Sequence, residues 1–98
     1  MWKLTEAAEG KLTCDNYDLK SGDITDVIKI LEKEFNIQPT DRCAVTMDMT
    51  AMDVYVDKRE IVIGWDCWSG VFIMAKNKSE NNVIERIHKW LLDYENME

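Results

Sequence analysis

The sequence predicts an α+β domain, a four-stranded antiparallel β-meander with one helix before it and one after, in the order α-β-β-β-β-α. Three observations carry this. Apolar residues recur at helical spacing over 24–36, switch to a period of two from Cys43, and return to helical spacing over 80–94. The links between the predicted strands are short, which favours antiparallel neighbours. The 98 residues are 46% hydrophobic and 32% charged, an ordinary globular balance that disfavours disorder. A chain of this length makes one domain and buries roughly two-thirds of the surface its unfolded form exposes, enough for a core without metal or disulfide staples.

Residues 1 to 22 hold no sustained period and contain Gly10, Asp15, Asn16, Asp18, Ser21 and Gly22, so they read mainly as loop, with room for a short strand around Lys11 to Cys14. The compact core is expected over 23–95. Ile24, Val27, Ile28, Leu31 and Phe35 fall at i, i+3, i+4, i+7 and i+11, one face of a helix over 24–36. Asp23 suits its N-cap, and Asn36 to Pro39 closes it. A first strand is expected over 43–49, with Val45, Met47 and Met49 facing one way and Thr46 and Asp48 the other. A second, 52–57, sets Met52, Val54 and Val56 against Asp53, Tyr55 and Asp57. Asp57 to Glu60 is a polar turn, 61–65 a third strand, Asp66 to Gly70 a tight connection and 71–76 a fourth strand. Asn77 or Ser79 can cap a last helix over 80–94, on which Val83, Ile84, Ile87, Trp90, Leu91 and Tyr94 form a broad apolar stripe.

Nineteen acidic residues against twelve basic ones give a net charge of −7, which argues against duplex DNA, RNA or an anionic membrane as partner and makes a basic protein the natural complement. Cys14, Cys43 and Cys67 are odd in number and scattered, with no C-x-x-C pair and no secretory leader ahead of them, which fits a reducing cytoplasm. No apolar run approaches the ~20 residues needed to span a bilayer.

The residue types point away from catalysis. His88, the only histidine, sits beside the apolar stripe of the last helix, where a partly buried structural role outweighs general-base work. A Cys–His dyad, for instance Cys67 with His88, is a nucleophilic pairing the composition allows, yet free cysteines in strands and adjacent turns are usually small buried hydrophobes. One histidine and three separated cysteines give no zinc spacing. Asp15, Asp18, Asp23 and Asp26 cluster in sequence without the ligand order of a calcium loop. No phosphate-binding glycine motif or nucleophile elbow occurs. No catalytic residue, cofactor or metal is expected.

What remains is binding surface. Ile61 to Ile63 and Val71 to Ala75 are apolar at successive positions, the pattern of strands covered on both faces, either by two helices or by a helix and a partner chain. Asp48, Asp53, Tyr55 and Asp57 would stand together on the polar face of the early strands, an acidic row that either meets a basic partner or is simply solvated. Trp65, Asp66 and Trp68 surround the tight connection, where the indoles either anchor an interface or close the end of the core.

The run Gly64-Trp-Asp-Cys-Trp-Ser-Gly-Val-Phe-Ile, followed by a polar turn and an amphipathic helix ending near Trp90-Leu-Leu, resembles a pattern in small immunity proteins of bacterial polymorphic-toxin and contact-dependent growth-inhibition systems. The resemblance covers about the second half of the chain. It implies a small, acidic, cytoplasmic, non-enzymatic protein that binds a toxin domain, often a basic nuclease, and neutralises it by stoichiometric occlusion. The alternative is a structural or adaptor protein that homodimerises through its two-faced apolar strands.

Overall fold

The computed structural model describes residues 1–97 and shows an α+β domain with six antiparallel strands and two helices. The strands are β1 (Lys3–Glu6), β2 (Leu12–Asn16), β3 (Ile37–Val45), β4 (Met49–Val56), β5 (Arg59–Asp66) and β6 (Gly70–Ala75), and the helices are α1 (Ile24–Leu31) and α2 (Asn81–Asn96). The sheet runs β1-β2-β6-β5-β4-β3. The expectation of four strands behind a single leading helix is therefore corrected: a hairpin precedes α1, and β6 returns to pair with β2. Nor is the segment 1–22 largely irregular. β2 reads Leu-Thr-Cys-Asp-Asn, and three of its four buried residues are polar, so no hydrophobic period announces it. It is held by the ladder to β6 and by Asn81, whose Nδ2 donates to the Gly10 carbonyl at 2.9 Å while its Oδ1 accepts from the Leu12 N–H at 2.8 Å.

Both helices lie on one side of the sheet. Val54, Val56, Ile61, Ile63, Val71, Ile73, Ala75 and Cys14 share that face by strand register and form one cluster with Ile24, Val27, Leu31 and Phe35 ahead of β3 and with Val83, Ile84, Ile87 and Leu91 of α2. Burying a side chain of this kind contributes roughly 1.5–3 kcal/mol, which makes this cluster the chief source of stability. Among the described residues no helix lies over the other face of β5 and β6.

Element boundaries moved for local reasons. α1 stops at Leu31, and the chain tightens through Lys33 N–H to Ile30 O and Glu34 N–H to Leu31 O, bonds of the 3₁₀ type. Asn36 to Pro39 does not close a helix; Ile37 already opens β3, an edge strand, where a proline removes no ladder bond that the sheet needs. The register shifts between Pro39 and Cys43. The strand expected over 43–49 ends at Val45, because the Thr46 hydroxyl accepts from the Met49 N–H and bends 46–48 into a turn. Asp57 and Lys58 both have positive φ, 50° and 70°, the signature of a two-residue type I′ hairpin loop. Neither Asn77 nor Ser79 caps α2, which is entered instead from a short 3₁₀ turn at Lys78–Glu80.

Candidate protein-binding face

Strand register fixes what the helix-free face presents. One row across the sheet runs Lys3, Asp15, Phe72, Gly64, Ala51, Ala44, and the next runs Thr5, Thr13, Met74, Val62, Asp53. Phe72, Met74, Val62 and Ala51 thus make an apolar centre with polar groups on either flank. The centre depends on Gly64: a Cβ there would come within 2.7 Å of Phe72 Cζ and 2.3 Å of the Thr50 carbonyl oxygen. The missing side chain is the seat of the Phe72 ring.

On the flank towards β3, Asp53 is enclosed by cations. Lys76 Nζ and Arg42 Nε each donate to its Oδ2 at 2.8 Å, and Arg42 Nη2 continues to the Glu60 carboxylate. The Lys76 ammonium first, and then Arg42, hold the Asp53 carboxyl below its ordinary value despite its burial. On the flank towards β1, Asp15 is as deeply placed and receives no cation among the described residues. Thr13 Oγ1 donates to its Oδ1 at 2.6 Å. Burial pushes the Asp15 carboxyl above its ordinary value, the Thr13 hydroxyl opposes this, and the nearby negative charge of Asp66 adds to it. Thr13, Asp15, Asp66, Ser69, Phe72 and Met74 line a concavity of about 320 Å³ on this flank.

Asp66 also shapes the β5–β6 turn. Its Oδ1 accepts from the Trp68 N–H at 2.9 Å and the Ser69 N–H at 2.6 Å. The Cys67 N–H donates to the Asp48 carbonyl at 3.2 Å, which ties this turn to the β3–β4 turn beside it. Gly70 closes the turn with φ +72°, packed so tightly on Asn16 that a Cβ would meet its carbonyl oxygen at 2.2 Å. The result is a braced tip bearing exposed apolar side chains: Trp68 is 79% and Met47 97% exposed.

The predicted acidic row does not exist as a row. Asp53 and Tyr55 share the helix-free face, but Asp48 lies in the turn at one end of β4 and Asp57 in the turn at the other, about 30 Å away along the strand. Asp57 is a clamp: its Oδ1 accepts from the Asn36 N–H at 2.9 Å, its own N–H donates to the Asn36 carbonyl at 2.8 Å, and its Oδ2 pairs with Arg86 of α2 at 3.4 Å. The two tryptophans divide the roles left open for them. Trp65 is half-buried against the helix-side core, and Trp68 stands in solvent. Sequence reading names Asp15 only as a loop residue and among the aspartates weighed for calcium, because no apolar period marks the strand that pairs it to β6.

The remaining reactive residue types are dispersed. His88 donates from Nε2 to the Trp2 carbonyl at 3.3 Å, while Cys67 is exposed at the tip beside Asp48, so no contact joins the two. Cys14 is fully buried, and burial pushes its thiol up to about 12; Cys43 and Cys67 are exposed, so only Cys14 is the small hydrophobe expected of all three. Among the described residues no group of three or more His, Cys, Asp or Glu side chains is gathered to hold a metal, and no helix is long and apolar enough to cross a membrane. Comparison with protein families, with curated proteins and with solved structures finds no match to this chain.

Proposed function

We propose that this protein is an immunity-type inhibitor that binds a basic toxin domain in the cytoplasm and neutralises it by stoichiometric occlusion, without catalysis. The observation that carries the reading is the one-sided placement of the helices. It leaves Met74, Val62 and Ala51 partly exposed around the buried Phe72 ring, with no helix among the described residues above them, bounded by the carboxylates of Asp15 and Asp66 and by a braced, exposed tryptophan. Apolar centre, charged rim and rigid aromatic anchor are the anatomy of a protein interface. The net charge of −7 and the acidic flank select a basic partner. Three free thiols suit a reducing compartment.

The test is to sequence the neighbouring genes and co-express this protein with any toxin domain they encode; a neighbourhood without one counts against the reading. Protection of the host cell and a one-to-one complex support the reading. Trp68→Ala is expected to weaken the complex by about 2 kcal/mol, mainly through faster dissociation, while stability stays within about 0.5 kcal/mol of the parent. Raised salt is expected to slow association. A stable homodimer that buries the same face, with no toxin bound, would replace inhibition by self-assembly.

A further inference from the structure

We infer that the concavity between β2 and the β5–β6 turn is a socket for one basic side chain, lysine or arginine, presented by a protein partner. The inference rests on the reading above that the helix-free face meets a basic protein. It begins with Asp15, which is 93% buried by area and forms no ion pair among the described residues. Its Oδ1 is satisfied by Thr13, but its Oδ2 has only the Thr5 hydroxyl at 3.5 Å, outside the ~2.5–3.0 Å range of an O–H···O bond. Asp15 is thus a buried carboxylate with one short hydrogen bond, one long one and no cation, and it lines the cavity. The cation nearest in the ladder, Lys3, forms no ion pair with it, and its ammonium lies 5.8 Å from the centre of the Tyr17 ring.

The rest of the pocket fits the same ligand. Phe72 and Met74 supply an apolar wall for an aliphatic stem. Asp66 adds a second carboxylate, with the Ser69 hydroxyl beside it. An anion would meet two negative charges, and a neutral apolar group would leave both carboxylates without a cation. A basic side chain compensates both carboxylates and covers the apolar wall. The upward displacement of the Asp15 carboxyl agrees, since it marks a charge that the isolated fold does not offset.

The test titrates the intact protein, observed by NMR, with N-acetyl-lysine methylamide, with N-acetyl-arginine methylamide and with the norleucine analogue, which keeps the stem and lacks the charge. Saturable shifts at Asp15, Thr13 and Phe72 with a basic probe, at dissociation constants on the order of 1 mM and at least about tenfold weaker with norleucine, support the socket. Asp15→Asn keeps the acceptor for Thr13 and is expected to weaken probe binding about tenfold, the scale of one charge-assisted hydrogen bond. Asp66→Asn, which keeps the acceptor for the turn, serves as the second variant should the first fail to fold. Unchanged binding by both, or equal binding of norleucine, overturns the socket. So does tighter saturation by calcium chloride than by either probe, or a rise of the Asp15 pKa in Lys3→Met, which would mean that Lys3 already fills the site. Probe binding by a protein that neutralises no toxin keeps the socket and removes the toxin reading. Neutralisation at full affinity by both Asn variants keeps the toxin reading and removes the socket.

Discussion

Asp15 and Asp53 occupy the same face of one sheet at nearly the same burial, 7% and 9% exposed, and their charges are treated in opposite ways. Asp53 has two cations at 2.8 Å and a carboxyl drawn below its ordinary value; Asp15 has one proper hydroxyl bond, a second carboxylate nearby and a carboxyl pushed above it. The Asp53 end is self-sufficient and holds β3, β4 and β6 together. The Asp15 end is electrostatically incomplete, and an asparagine there would keep the Thr13 bond without the uncompensated charge. Stability explains the first carboxylate and not the second, which is the pattern expected where a fold gives up stability at a binding surface.

The largest expected effect breaks both ends at once. Gly64→Ala places a methyl against the Thr50 carbonyl and the Phe72 ring, so the floor between the two carboxylates must shift. We expect a loss of about 3 kcal/mol, read as a lower urea midpoint. An unchanged midpoint would show that Phe72 does not need its seat. The next effect breaks only the closed end. Asp53→Ala leaves Arg42 and Lys76 facing each other, at a cost of about 2 kcal/mol, below the 3–5 kcal/mol of a fully buried pair because both cations are partly exposed. Charge reversal at Asp53 and Asp57, which from sequence alone looks like a probe of binding, is thus a test of folding: one holds an ion network and the other clamps Asn36.

The elements that were legible share one property, an apolar period strong enough to survive their surroundings. Ile24 to Leu31, Val54 to Val56, Ile61 to Ile63 and Val83 to Leu91 place residues in the core, and all were placed in the element type they adopt. β1 is not legible, and β2 only as room for a short strand around Lys11 to Cys14, because β2 is held by partners far along the chain, β6 and Asn81, and local pattern does not encode that. The start of β3 was missed because Pro39 reads as a break, although an edge strand tolerates it. Among the candidate site residues, period placed Asp53 and Tyr55 on one face correctly. It could not locate the turn that carries Asp48 away from that face, because a period of two runs straight through Thr46 to Asp48, and it counts Asp57 in the row although the turn that begins with Asp57 is legible. It had no means of telling a paired carboxylate from an unpaired one.

The smallest expected effect is the one that sharpens the comparison most. Asp15→Asn should raise stability near neutral pH by about 0.5–1 kcal/mol, since it removes a buried charge and retains the Thr13 bond. The pH dependence separates the two ends by sign. Asp15 has a folded-state pKa above its ordinary 3.8, so between those values the native state holds more protons than the unfolded one and stability falls as pH rises. Asp53 has a folded-state pKa below 3.8, so its contribution is present above 3.8 and is lost as pH falls from there through the folded value. Acidifying the parent protein from neutrality should therefore relieve the Asp15 penalty first and remove the Asp53 contribution afterwards. Subtracting the stability profile of Asp15→Asn from that of the parent isolates the first effect: the difference should shrink on acidification towards pH 3.8 and stay flat below it. A difference that grows on acidification would mean that Asp15 is paired in solution, and the two ends of the face would then be alike.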